Sequence, residues 1–281
     1  MKQTLLLLCF LVLSNLASSQ QKDSLKVISW NVFLRPAILK DQQLKRVDSI
    51  AAKLLAMDAD VLVLQEVFHK KSRRRLIKAL SKSYPYHSKI GRKTFWGVPS
   101  GNCIFSKDSI RSQQFVYYKW AIKADKMAKK GAILIEIEHG GSAFHIYGTH
   151  LQAGGGAEGA KVRCSQLDQI AELSRKQTRQ SISVFAGDFN IRFEDSLYHY
   201  IVESLSIRNI EPIHLEMGTS NLGGHTLTNV SGGPKWIDFI LLKSADVVDF
   251  RSSHIEEPRC YFGENCERVS DHNPIITVFE W

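Results

Sequence analysis

Eight polar residues with chemical potential recur at the ends of apolar runs: Asn31, Glu66, His150, Asp188, Asn190, Asp238, Asp271 and His272. The segment "SISVFAGDFNIRF", residues 181–193, shows the pattern most clearly. A β-branched, aromatic run closes on Gly187 and then offers Asp188 and Asn190, two apart and therefore on one face of an extended segment. One such acid is an ordinary capping or salt-bridge residue. Four acids, two histidines and two asparagines at strand ends are hard to account for as separate caps.

This set suits metal-assisted attack on phosphorus. A hard divalent ion takes oxygen ligands and keeps several waters, so one or two carboxylates suffice to bind it. Glu66, helped by Asn31, is the first candidate ligand. Asp188 and Asn190 are candidates for a second ion or for holding water and a phosphate oxygen, and Asp271 stands beside His272. A buried histidine oriented by an acid makes a general base, and His272 with Asp238 is the candidate pair. The Cys/His spacing is not that of a zinc site. No Gly-rich loop leads into a helix with Lys-Ser/Thr, which argues against a nucleotide P-loop. The Gly-rich "QAGGGAEG", residues 152–159, reads as a flexible loop.

The elements that must position these groups follow from periodicity. "LKVISWNVF" alternates as a strand, and "DADVLVLQEV" is a short apolar run fit for a strand buried on both faces. "QLKRVDSIAAKLLAM" places Leu44, Val47, Ile50, Ala51, Leu54 and Leu55 on one helical stripe. "AILIEIEH" and "SAFHIYGTHL" flank His139-Gly140-Gly141-Ser142 as a hairpin, and residues 161–180 form an amphipathic helix. "KWIDFILLKS" and "NPIITVFEW" supply two more strands. The basic run "HKKSRRRLIKAL", residues 69–80, reads as a helix with a solvated charged face and Leu76, Ile77 and Leu80 on its apolar side. Helices and hairpins without linkers or repeats indicate mixed sheets covered by helices in one domain.

The chain has 281 residues, 44% hydrophobic and 23% charged, within the range of a globular protein with a sizeable core. Residues 1–20, "MKQTLLLLCFLVLSNLASSQ", have the charge, apolar stretch and small residues of a secretory signal, with cleavage expected near residues 19–20. The run is shorter than the ~20 apolar residues of a spanning helix. The mature chain, residues 21–281, is therefore expected to be secreted or periplasmic. It keeps Cys103 and Cys164 as buried free thiols, and Cys260 and Cys266 are placed to close a small disulfide loop. The formal charge of +9 favours phosphate-bearing partners, nucleic acid or membrane.

In order, "WNV", "LQEV", "GTHLQAG", "GDFNI", "IDFILL" and "SDHNPI" resemble the motifs of the endonuclease/exonuclease/phosphatase superfamily, from about residue 25 to the end. The resemblance implies a four-layer α/β sandwich of DNase I type, two mixed sheets face to face with helices outside. It also implies a Mg²⁺-dependent phosphoesterase, with Mn²⁺ or Co²⁺ as possible substitutes. Within the superfamily, "GTHLQAG" and "KADKMAKKGAILIEI" (residues 123–137) are similar to secreted and neutral sphingomyelinases, and the second segment singles out Asp125 and Lys130-Gly131. The expected reaction is phospholipase C-type hydrolysis of sphingomyelin by a monomer at a membrane surface. His272 would activate water, and His150 would stabilise the phosphorane charge or help protonate the leaving oxygen. A secreted nonspecific DNase is the rival expectation. It explains the charge and the metal motifs but not the Asp125–Lys130 segment. The secreted sphingomyelinases carry a long aromatic hairpin before the final Asp-His; here only "EEPRCYFGENCERV" precedes it, making Tyr261 and Phe262 a candidate interfacial wedge. Phe95 and Trp96 are candidate contacts for a choline group.

Overall fold

The computed structural model describes residues 23–93, 97–178, 181–208, 218–220, 233–243, 249–255, 261–262 and 267–281. Its elements in chain order are β1 (Ser24–Leu34), α1 (Gln43–Met57), β2 (Val61–Val67), α2 (Lys70–Leu80), β3 (Tyr86–His87), β4 (Cys103–Ser106), β5 (Ser112–Tyr117), β6 (Gly131–His139) and β7 (Ser142–His150). There follow α3 (Gly156–Arg175), β8 (Ile182–Asp188), α4 (Ser196–Leu205), β9 (Asp238–Lys243), β10 (Asp249–Ile255), β11 (Tyr261–Phe262), β12 (Glu267–Arg268) and β13 (Ile275–Glu280). Single 3₁₀ turns lie at Ala37–Leu39 and Lys123–Met127. Among the described residues no helix is long and apolar enough to cross a membrane.

Two sheets result, one ordered β10-β13-β1-β2-β4-β3 and the other β5-β6-β7-β8-β9, with β11 and β12 paired apart. Strand alternation assigns their faces. Val27, Val61, Val63 and Ile104 of the first sheet join Ile133, Ile135, Ile146 and Val184 of the second in one core. The alternate residues Ile28, Trp30, Leu62 and Leu64 pack outward against Val47, Ile50 and Leu54 of α1 and Leu76 and Leu80 of α2. On the far side, Phe239 of β9 meets Tyr198 of α4, and the Tyr147 and Phe185 rings stack on the outer face below α3. This is the expected four-layer α/β sandwich.

Each sheet contains one parallel pair. β1 runs parallel to β2, with Asn31 opposite Gln65, and β7 runs parallel to β8, with His150 opposite Asp188. Parallel strands end at the same edge, so the termini of both pairs are brought together. β9, antiparallel to β8, begins there with Asp238 opposite Asp188. β13, antiparallel to β1, starts just after Asp271 and His272.

Several local expectations need correction. Leu44 and Leu55 are exposed, because the buried stripe of α1 runs through Gln43, Arg46, Val47, Ile50, Leu54 and Met57, one position round the helix. The helix expected at residues 161–180 spans Gly156–Arg175 instead, so residues 156–159 of the supposed loop form its first turn. That start is feasible because Gly155 takes a left-handed φ of 89°, and because Gly159 lacks a Cβ that would lie 1.9 Å from Gly154 O. Ile77 is only half buried. Cys103 is a buried free thiol as expected, but Cys164 is partly exposed. Residues 1–20, Phe95, Trp96, Cys260 and Cys266 lie outside the described residues, and of Tyr261 and Phe262 only the strand backbone is described.

Candidate active site

Alternation decides which strand-end side chains meet. Ile146, Gly148 and His150 share a parity on β7, as do Val184, Ala186 and Asp188 on β8, and Leu242, Ile240 and Asp238 on β9. The apolar members of these series face the other sheet, so His150, Asp188 and Asp238 do as well. Val27, Ser29 and Asn31 bring Asn31 to the same interior from the first sheet.

Glu66 breaks this rule. On β2 its parity is that of Leu62 and Leu64, which point outward to the helices. Its backbone, however, is left-handed, with φ 58°, and the β1/β2 register shifts between Asn31 and Leu34, where Phe33 also has φ 51°. The irregularity re-aims the carboxylate inward. There Asn31 Nδ2 donates to Glu66 Oε1 at 3.2 Å and to Asp188 Oδ2 at 3.1 Å. Asn31 Oδ1 accepts from the Phe33 N–H at 3.1 Å, so the side chain presents its nitrogen, not its oxygen, to the acids.

On the other side His272 Nδ1 lies 2.8 Å from Asp238 Oδ2, and its Nε2 lies 3.8 Å from Asp188 Oδ2. His150 Nε2 reaches the same Asp188 oxygen at 3.5 Å. The two histidines are both buried but electrostatically opposite. Burial opposes charge on His272, yet Asp238 overcomes it by charge and hydrogen bond, with Asp271 and Asp188 adding to it, and the imidazole is raised well above its ordinary value. His150 has burial, Lys130 and His272 acting together against a proton, so it is held well below the ordinary range and is neutral at pH 7.

The acids are crowded. Burial and then Asp238 push Asp188 up to about 7, against the pull of His272, Lys130 and Asn31. Burial and then Asp271 raise Glu66. Among the described residues, Asp238 Oδ1 and Asp271 Oδ1 are buried with no hydrogen-bond partner. Asp188, Asp238 and His272 each bring a ligand-capable atom within 4.8 Å of the others. Clustered carboxylate oxygens, two of them buried and unpaired, are what a hard divalent cation requires. His272 already shares a hydrogen bond with Asp238 and favours its protonated form, and the carboxylates of Glu66 and Asp271 lie close enough to this cluster for Asp271 to raise Glu66.

Asp125 and Lys130 form a separate strap beside this centre. Lys130 Nζ donates to Asp125 Oδ2 at 2.8 Å and to Leu151 O at 2.9 Å, and Asp125 Oδ2 also accepts from the Ala153 N–H at 2.8 Å. The strap therefore fixes the chain just after His150. Asn190 does not continue the strand: its φ is 52°, its N–H donates to Asp188 Oδ1 at 3.0 Å and its Nδ2 to Leu151 O at 3.3 Å. It meets Asp188 through a turn, not through strand alternation. Glu66, Asp125, Lys130 and His150 line the inner wall of a cavity of about 480 Å³.

Sequence reasoning passed over the residues that hold these groups. Arg46 is fully buried and donates to Val269 O at 2.6 Å, Phe33 O at 2.5 Å and Asp41 O at 3.0 Å, tying the irregular end of β1 to the segment before Asp271. Burial lowers its guanidinium to about 10, with Asp41 and Asp271 opposing the shift, so it stays charged at neutral pH. Ser270 Oγ donates to Asn31 O at 2.6 Å and accepts from the His272 N–H at 3.2 Å. Trp30 Nε1 donates to His272 O at 2.9 Å, and Thr219 Oγ1 accepts from the Asp238 N–H at 3.1 Å. Only Arg46 carried a signal, an arginine on the buried stripe of a helix.

Residues 28–272 match the model of the Endonuclease/Exonuclease/phosphatase family. The chain belongs to that family. Its relatives include a sphingomyelinase C of Leptospira interrogans, 27% identical over 248 residues that cover 79% of this chain and 44% of the relative. A sphingomyelinase C of Listeria ivanovii is 24% identical over 92% of this chain and 88% of its own length. The chain thus spans less than half of the Leptospira protein but most of the Listeria one. Among solved structures, a Staphylococcus aureus beta toxin variant with bound magnesium ions superposes with a TM-score of 0.77 at 20% identity, covering 90% of this chain and 99% of the other. The likeness establishes the shared fold.

Proposed function

We propose that this family member is an exported, divalent-metal-dependent phosphodiester hydrolase that cleaves sphingomyelin to ceramide and phosphocholine. The observation that carries the reading is the placement of two histidines of opposite proton affinity against one carboxylate, Asp188, with an acid-paired His272 on one side and neutral His150 on the other. In-line displacement at phosphorus needs groups on both sides of the reacting atom. The similarity to proteins named sphingomyelinase C and the Asp125–Lys130 strap favour the sphingolipid over DNA.

Glu66 and Asp271 would hold the cation with Asp188 beside them; Asn31, whose Nδ2 faces Glu66 and Asp188, would position these acids and not ligate the ion, and Asn190 would orient Asp188. Magnesium is the first candidate, as in the beta toxin structure, with Mn²⁺ or Co²⁺ able to replace it. When bound, the ion supplies positive charge that acidifies water and neutralises phosphate oxygens. In its deprotonated form His272 would take the proton of the attacking water on Nε2, with Asp238 fixing its tautomer and supporting the imidazolium that forms. Neutral His150 offers an N–H to the charge developing on phosphorus or to the departing oxygen. Lys130, held by Asp125, places the His150–Ala153 segment and adds positive potential to the cavity wall.

The mature enzyme would begin at Gln20 or Gln21, act as a monomer at a membrane surface and reside in the periplasm or outside the cell. N-terminal sequencing of the exported chain tests the cleavage point. The activity is tested by giving residues 21–281 sphingomyelin vesicles and plasmid DNA in parallel, each with Mg²⁺ and with EDTA. Phosphocholine release that EDTA abolishes, with intact DNA, is the expected result. Nicked DNA with untouched lipid would replace this reading with a nuclease on the same site.

A further inference from the structure

The outer rim of the active-site cavity is built unlike its inner wall. Two single-turn 3₁₀ segments, Ala37–Leu39 and Lys123–Met127, both border it, and neither buries a single residue. Yet both carry large apolar side chains: Ile38 is 86% exposed, Leu39 48% and Met127 58%. Such side chains normally occur singly on a surface, and a group of them at one opening marks a contact. Phe68 and Val98 add apolar surface to the same cavity, which Glu66 and His150 also line. Phe68 is seated against Gly101, where a Cβ would stand 2.5 Å from its ring, so the backbone there is adapted to that aromatic floor.

The charges around the rim match the apolar residues. Lys40 follows Leu39 directly, and Lys123 and Lys126 precede Met127 on its turn; all three are exposed. Aliphatic side chains pointing outward between lysines are suited to a bilayer surface, where the chains enter the acyl boundary and the ammonium groups meet lipid phosphates. A soluble substrate would need no such rim. The sequence before the final Asp-His pair had pointed to a different place, the segment around Tyr261 and Phe262.

We propose that Ile38, Leu39 and Met127, with Lys40, Lys123 and Lys126 around them, form a membrane-docking rim that seats the cavity mouth on a phosphocholine-lipid surface. The proposal rests on the sphingomyelinase reading for its purpose, but docking is measurable without turnover. The geometry requires the rim to act on substrate in a bilayer and not on the chemistry, since the three exposed apolar side chains border the cavity while His150 on its wall, and Asp188 and His272 beyond it, are buried.

The test compares the wild-type protein with I38S/L39S/M127S and with K40E/K123E/K126E. All six positions are exposed, so the fold is expected to survive, and thermal melting checks it. Sedimentation with sphingomyelin/phosphatidylcholine vesicles in EDTA reads docking. Hydrolysis of the same vesicles and of a water-soluble chromogenic choline phosphodiester, both with Mg²⁺, reads its consequence. Vesicle partitioning is expected to fall at least about tenfold in the serine variant, with a smaller, salt-sensitive loss in the glutamate variant. Vesicle kcat/KM should fall in parallel, while soluble-substrate turnover stays within about twofold. Unchanged partitioning overturns the proposal, and so does an equal loss on the soluble substrate. Unchanged partitioning with a shift from dimer to monomer would identify the rim as a contact between copies and overturn it as well. A wild-type protein that releases phosphocholine from neither substrate would defeat the sphingomyelinase reading, while the sedimentation comparison would still decide whether the rim docks.

Discussion

His150 and His272 approach one carboxylate from opposite sheets, and their surroundings drive their proton affinities apart. His150 ends β7 of the five-stranded sheet, and the cations Lys130 and His272 are its electrostatic neighbours. His272 precedes β13 of the six-stranded sheet and faces Asp238, Asp271 and Asp188. Both are buried, so desolvation alone would neutralise both. What separates them is the charge packed around each: Lys130 and His272 around His150, the carboxylates of Asp238, Asp271 and Asp188 around His272. Two chemically identical side chains thereby become suited to different tasks, one to accept a proton and the other to donate a neutral hydrogen bond.

Removing the proposed proton acceptor breaks this comparison most severely. His272→Ala should lower kcat by about 10⁴-fold with an unchanged circular dichroism spectrum; a folded variant with near-normal turnover would refute the assignment. Asp238→Asn should cost about 10³-fold and move the acid limb of the pH–rate profile. The sign follows from the environment: Asp238 raises His272, the base works only when deprotonated, and losing the carboxylate therefore carries the limb to lower pH while the plateau drops. A limb that stays in place would mean that another group sets it. His150→Gln should cost about 10²-fold and leave the limb where it is, because His150 is already neutral throughout that range.

The smallest effect is thermodynamic and concerns the acids between the two histidines. A buried carboxyl with a raised value favours the protonated fold, so its contribution is lost as pH rises through the folded value. Asp188, raised from 3.8 to about 7, and Glu66, raised from 4.5, both act in this direction. His272 does too, since its raised value stabilises the fold at low pH and is lost as pH climbs through it. The metal-free protein should therefore lose thermal stability from pH 5 to 8, and added Mg²⁺ should raise Tm more at pH 8 than at pH 5. Glu66→Gln removes a buried charge while keeping an acceptor for Asn31. It should raise the metal-free Tm at pH 8 by about 2–4 °C and shrink the Mg²⁺-induced shift. Differential scanning fluorimetry across that range reads both, and a metal-induced shift as large as wild type would remove Glu66 from the cradle.

Much of the site was legible because its residues interrupt apolar runs. Period-two alternation carries Ala186 to Asp188 and Gly148 to His150, so an inward-facing strand that finishes on a polar group is visible in the letters themselves. Asp188 and Asn190 were read as neighbours for the wrong reason: the turn at Asn190, not an extended backbone, places them together. Glu66 was selected although its parity points outward, and only the left-handed backbone there brings it inside. The loop expected over residues 152–159 lost its second half to α3, since three consecutive glycines conceal a helix start from any propensity argument. Arg46, Ser270 and Thr219 stayed hidden because their partners are backbone atoms distant in sequence, which leave no pattern to read.

By itself, the sequence determined the strands, their inward series and the inventory of acids and histidines, because alternation and apolar periodicity are local properties of the chain. Tertiary structure alone decided which acid faces which histidine, that Glu66 turns inward, and that His150 is neutral where His272 is basic. Proton affinity depends on burial and on charges brought from other strands, and those distances exist only once both sheet edges have met.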